Sequence, residues 1–251
     1  MTVRPALLAI LLLTGCAGSP GDGERAVAEA VEPSLRAAAA AAEANRDYKG
    51  AVQHLGTIHL RRPEDRGITV ALARNLRYGG QPQAAADVIQ TLLPRFPADA
   101  DLLIELGKDY LAADRLALAR RTLDQALAAA PERWDAHAAM AVVLDTQGLG
   151  DEARAAYARA LALSPDNPPV MNNLALSLAL AGRLDEAVTL MTRAADLPAA
   201  TTQIRQNLAL LLALKGDSAQ AEKLARHDLP PDMARSNIEI LRALAAAAGR
   251  Q

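Results

Sequence analysis

The sequence predicts an all-α solenoid: about six stacked helical hairpins, closed by a C-terminal capping helix and preceded by an export signal. Three observations predict it. Alanine returns every 34 residues, at Ala51, Ala85, Ala119, Ala153, Ala187 and Ala221. A small residue stands twelve positions before each of them, at Ala39, Ala73, Gly107, Ala141, Ala175 and Ala209. Proline stands twelve positions after the first four, at Pro63, Pro97, Pro131 and Pro165. A fixed period of this length marks an array whose units bury their apolar faces only against their neighbours.

Composition agrees. Half of the 251 residues are apolar, chiefly Ala and Leu, and 2% are aromatic, a mix that favours helix over strand. The net charge of −2 advertises no basic surface for nucleic acid and no acidic tail.

The first element is the export signal, residues 1–15. Arg4 supplies a positive start, and an apolar run from Ala6 to Leu13 follows, too short to span a bilayer. The run ends Leu13-Thr14-Gly15-Cys16, which resembles the lipobox of bacterial lipoproteins and contains the chain's only cysteine. The resemblance implies cleavage before Cys16 and lipidation there, with enough acyl chains for stable anchoring. Cys16 is then consumed, and no thiol is left for redox work. Ala17, rather than Asp, follows the cysteine. That implies the outer membrane, facing the periplasm. Residues 16–31 read as the lipidated cysteine and a flexible tether, rich in Gly, Ser and Pro in its first half and open between short helix and linker in its second.

The array follows over 32–248, in copies 32–65, 66–99, 100–133, 134–167, 168–201 and 202–235, then a final helix over about 233–248. Small, small and proline at this period are the tetratricopeptide pattern. Each copy reads helix, tight turn, helix, turn. The tight turn carries Gly80, Gly148, Gly182 and Gly216 at one repeat position, with Arg46 and Asp114 in the other two copies. Glycine there ends a helix in the left-handed conformation. Asp151 and Asp185 read as N-caps of second helices. The small residues let paired helices approach closely, and larger residues such as Leu72, Leu106, Met140, Leu174 and Leu208 fill between copies. The sixth copy departs at Asp228, where a small residue is expected.

No catalytic constellation emerges. His54, His59, His137 and His227 have no partner at metal-ligand spacing, and no phosphate loop, nucleophile elbow or zincin motif is present. The chain reads as a binding protein that needs no metal, cofactor or small-molecule substrate. In this fold the first helices of successive hairpins line a concave face. The predicted groove in the N-terminal half comprises Arg36, Val70, Arg74, Arg77, Tyr78, Ile104, Lys108 and Leu111, a basic and apolar set. In the C-terminal half it comprises Asn172, Asn173, Leu176, Gln206, Asn207 and Leu210, an amide-rich and apolar set. Asn173 and Asn207 occupy equivalent positions; they serve either to hold a partner's backbone or to satisfy the array's own.

The C-terminal stretch carries a more particular resemblance. Arg205-Gln206-Asn207-Leu208-Ala209-Leu210, then Ala225-Arg226-His227-Asp228-Leu229-Pro230-Pro231, then Asn237, are similar to the TadD family of tight-adherence (Flp pilus) lipoproteins. The resemblance implies a non-catalytic accessory protein of a pilus secretion apparatus, partnered by a secretin or another component of that apparatus. Three other readings fit the array: the pilotin of type IVa pili, a scaffold for cell-wall or outer-membrane-protein assembly, and a regulatory subunit of a periplasmic enzyme.

Overall fold

A computed structural model of the chain describes residues 20–230 together with 232, 233, 235–237 and 239. The signal peptide and Cys16 lie outside the described residues. Twelve helices follow one another: α1 Pro20–Ala44, α2 Tyr48–Arg61, α3 Arg66–Tyr78, α4 Pro82–Leu92, α5 Ala100–Ala112, α6 Leu116–Ala129, α7 Trp134–Thr146, α8 Gly150–Leu163, α9 Pro168–Leu180, α10 Leu184–Asp196, α11 Thr202–Lys215 and α12 Ser218–Asp228. They pair into six antiparallel hairpins in the register set by the alanines. The described residues of the stretch after Pro230 are helical, and the rest of the expected final helix lies outside them. One boundary moves: α1 begins at Pro20, so helix covers the part read as a flexible tether from residue 20 on, and the later part, left open between short helix and linker, is helix as well. Past Gly23 that stretch is built of Glu, Arg, Ala and Val, and the Ala–Glu content supports a helix that runs on through Pro33.

The periodic marks find their physical reasons. The six alanines are all completely buried, as are Ala73, Ala141 and Ala175 at the facing position. At Gly107 even a methyl group does not fit, because its Cβ would lie 2.6 Å from Leu123 Cγ. Ala153→Leu therefore overpacks the fourth hairpin and is expected to cost about 1–3 kcal/mol. The exposed change Ala155→Ser next to it costs under about 0.5 kcal/mol. Urea midpoints of the two variants check this, and equal midpoints would displace the register.

The tight-turn glycines adopt left-handed backbone, with φ of 77° at Gly80, 78° at Gly148, 76° at Gly182 and 98° at Gly216. Arg46 and Asp114 hold the same position at φ of 57°, so the turn geometry is kept even where glycine is not. The capping expectation is corrected. Second helices α8 and α10 start from Leu149 and Arg183 without side-chain caps, and Asp151 and Asp185 sit inside the first turn, where the helix dipole and ion pairs with Arg154 and Lys215 favour them. The side-chain caps of the first helices lie at another repeat position. Asp65, Asp99, Asn167 and Thr201 each accept from the backbone N–H three residues on.

The array curves with its first helices inside. From α3 onwards each first helix packs on the first helix of the next copy, α3 on α5, α5 on α7, α7 on α9 and α9 on α11. Second helices make no comparable contact with one another among the described residues. The apolar core runs as one cluster from Ala39 to Val170 and a second from Met171 to Ala221, bridged by Leu161 and Leu174, which pack on both.

Candidate interaction groove

The inner face is built by residues that project from α3, α5, α7, α9 and α11. Its N-terminal half differs from the basic and apolar surface expected. Arg77 is not free. Its guanidinium is only 10% exposed and donates to Glu105 at 2.8 Å and to Asp109 at 2.5 Å, tying α3 to α5. Burial pushes the Glu105 carboxyl up, but Lys108 and Arg77 reverse this and hold it below its ordinary value. Asp109 is fully buried, and burial raises its carboxyl to about 7 in spite of Arg77. Its Oδ2 has no hydrogen-bond partner among the described residues.

Lys108 bonds Glu105 at 3.0 Å, and Arg74, half exposed, reaches the same carboxylate at 3.5 Å. Ile104 is 1% exposed and packs in a small buried cluster with Leu103, Ala126 and Ala136, at the floor of a cavity between α3, α5 and α7, and Val70 and Leu111 are half-buried against the main core. Tyr78 is exposed and rests against Tyr48, ring centres 5.3 Å apart. Arg36 pairs with Glu32 at 2.7 Å at the array's start. Between α3, α5 and α7 an open cavity of about 520 Å³ is lined by five carboxylates, Asp65, Asp99, Asp101, Glu105 and Asp135, and three guanidiniums, Arg66, Arg74 and Arg133. Here Arg66 bonds Asp99 at 2.5 Å, and Arg133 bridges Asp101 at 2.6 Å and Asp135 at 2.9 Å. This half is an ion-paired surface with a small acidic excess. The sequence reading missed the carboxylates because they lie on a different helix or at the far end of the copy from most of the cations they neutralise, as Asp99 from Arg66 and Glu105 from Arg77; the recurrence of Asp65 and Asp99 one repeat apart was the available signal.

The C-terminal half is chemically distinct. Asn207 Nδ2 donates to Asn172 Oδ1 at 2.8 Å, and Asn172 Nδ2 donates to Asn173 Oδ1 at 3.0 Å. Gln203 Nε2 donates to Asn207 Oδ1 at 3.1 Å, so one chain of amides joins α9 to α11. These amides satisfy each other, an arrangement the sequence reading did not foresee. Asn172 is buried within it. Gln206 and the Asn173 NH2 group make no hydrogen bond among the described residues. Around them lie Leu176 and Leu210, half-buried, and Leu180 and Leu214, which are 87% and 40% exposed. The last two went unnoticed in the sequence because they end their helices, beyond the buried stretch.

Asp228 explains its own exception. It accepts a fork from Arg205, Nε at 2.8 Å and Nη2 at 2.6 Å. The hydrogen bond from Arg205 holds its carboxyl below the ordinary value. A charged clasp between α11 and α12 thus stands where the third, fourth and fifth copies place Ala126, Ala160 and Ala194. Among the described residues no group of His, Cys, Asp and Glu is arranged to hold a metal ion. None of their helices is long and apolar enough to cross a membrane.

A curved stack of helical hairpins with an open inner face defines a fold class, the helical-repeat solenoids. Within that class the chain is a tetratricopeptide-repeat solenoid: two tetratricopeptide-repeat family models match it, over residues 104–168 and 146–197. No curated protein matches the sequence. Among solved structures, a thermophilic tetratricopeptide-repeat protein of Thermus thermophilus superposes with a TM-score of 0.67 at 25% identity, over 72% of this chain and 98% of that one. PilW, a widely conserved type IV pilus biogenesis factor, gives 0.65 at 20% identity, over 79% and 93%. PilF of Pseudomonas aeruginosa gives 0.62 at 15% identity, over 85% and 98%.

Proposed function

We propose that the chain is a non-catalytic lipoprotein of the outer membrane, facing the periplasm, that holds a component of the tight-adherence (Flp) pilus secretion apparatus, a secretin in the first place. The observation that carries the scaffold role is the open inner face of the array, with exposed leucines beside unpaired amide groups and no assembled catalytic group among the described residues. The anchor rests on Leu13-Thr14-Gly15-Cys16, and the choice of apparatus on the TadD-like stretch from Arg205 to Pro231. The Arg205–Asp228 clasp gives two residues of that stretch a structural role, so they serve the fold rather than the partner. The shared fold with PilW and PilF supports a second reading, an assembly factor of type IV pili.

Membrane fractionation with metabolic lipid labelling, followed by affinity purification of the full chain, tests both parts. Wild type is expected to carry label, to sediment with the outer membrane and to bring down the secretin encoded with the tight-adherence genes. Cys16→Ser is expected to lose label and outer-membrane association. A labelled Cys16→Ser protein would overturn the anchor, and capture of a type IV pilus secretin instead would establish the second reading.

A further inference from the structure

The two halves of the inner face differ in charge, and this difference specifies what the groove accepts. On α9 the residues along this face are Pro169, Asn172, Asn173, Leu176, Ala179 and Leu180; on α11 they are Gln203, Gln206, Asn207, Leu210, Ala213 and Leu214. None is charged. Of the charges bordering the patch, Lys215 pairs with Asp185 at 2.6 Å, Arg205 with Asp228 and Arg183 with Glu186, and Asp145 of α7 accepts from Ser177 Oγ of α9 at 2.9 Å. A charged side chain of a partner placed here would lose water and find only counter-ions already engaged in pairs or, at Asp145, in a hydrogen bond to Ser177. An apolar one would bury itself against Leu180, which the array leaves almost wholly exposed. Gln206 and the Asn173 NH2 retain hydrogen-bonding capacity in the middle of the patch. A helix satisfies its own backbone groups, whereas an extended chain offers its N–H and C=O groups outward. Free amides beside exposed leucines therefore suit an extended backbone.

We propose that the inner face of the fifth and sixth copies binds an extended, uncharged, apolar segment of the partner, held through its backbone by Asn173 and Gln206 and through its side chains by Leu176, Leu180, Leu210 and Leu214. The inference rests on the groove reading above and narrows it to one half of the groove and one ligand chemistry. The ion-paired N-terminal half is then a flanking surface that disfavours misplacement through its charges rather than a source of apolar contact.

The test uses fluorescence anisotropy of the full chain with three labelled, end-blocked decapeptides. One alternates leucine with serine; the other two carry a lysine or a glutamate in place of one central leucine. The uncharged peptide is expected to bind at least tenfold more tightly than either charged one. Leu180→Asp is expected to weaken it at least tenfold with its melting curve unchanged, because Leu180 is exposed, and Asn173→Ala is expected to weaken it several-fold with a lowered melt, because Asn172 loses its acceptor. Arg74→Ala is expected to change binding less than twofold. Equal binding of charged and uncharged peptides, or full binding by Leu180→Asp, would overturn this inference while leaving the groove reading intact. Binding of none of the three overturns the inference; if the full chain in envelopes also fails to capture any pilus component, the groove reading falls with it.

Discussion

Arg77→Met is expected to lower the stability of the array by about 3–5 kcal/mol, the cost of leaving buried carboxylates without their cation. Arg77 is the only described cation that reaches Asp109, and it shares Glu105 with Lys108 and the more distant Arg74. Methionine keeps most of the side-chain volume, so the loss reports charge rather than a cavity. In a repeat array the damage is local: α3 and α5 lose the bonds that join the second copy to the third, and neighbouring copies transmit the loss through their interfaces. Hydrogen exchange should accelerate most in α3 and α5, and the urea midpoint should fall. Arg74→Met, which removes a half-exposed side chain with one contact at 3.5 Å, is the control and should cost under about 1 kcal/mol. Equal effects of the two variants would show that Arg77 is not the residue holding this junction.

That junction also shows where the sequence stops being readable. The fold is legible because its marks are local and periodic: a buried alanine at one position, a small residue facing it, a left-handed residue in the turn. Each follows from packing two helices within one copy, and each copy repeats the constraint. The groove is less legible because its chemistry arises between copies. Arg74, Arg77 and Lys108 look like a basic stripe when α3 and α5 are read separately. Stacking brings Glu105 and Asp109 against Arg77, and the stripe becomes a buried ion cluster. The asparagines behave in the same way: Asn172 and Asn207 lie one copy apart and become partners only when α9 meets α11. Leu180 and Leu214 escape a reading based on the buried helix face because each stands at the exposed end of its helix. Asp228, by contrast, announces itself as a break in the period, and Arg205 supplies its reason.

Asp109→Asn is expected to remove a fall in stability that the wild type shows between about pH 4 and pH 7. In the folded chain the carboxyl titrates at about 7, against an ordinary value of 3.8. Between those values the folded state keeps a proton that the unfolded chain releases, so stability decreases as pH rises through the window. The shift corresponds to a loss on the order of 4 kcal/mol across it. Glu105 acts in the opposite direction and at lower pH, because its folded value is depressed: its contribution is present above about 4.5 and fades in acid. His59, whose value burial lowers, binds more protons unfolded than folded near pH 6 and makes stability rise with pH there. His59 lies outside this cluster and is unchanged by the substitution, and Glu105, which shares Arg77 with Asp109, titrates below the window, so the difference between variant and wild type above about pH 4.5 reports Asp109. Asparagine keeps the oxygen that accepts from Arg77 and cannot ionise, while Glu105 remains to pair with the guanidinium. Urea midpoints are therefore expected to differ little at pH 4.5 and to favour Asp109→Asn increasingly up to pH 8. A wild-type midpoint that moves in parallel with the variant across this range would mean that Asp109 is ionised throughout, with Arg77 outweighing its burial. In that case the substitution should instead destabilise the second and third copies at every pH above 4, as removal of one partner from a working ion pair requires.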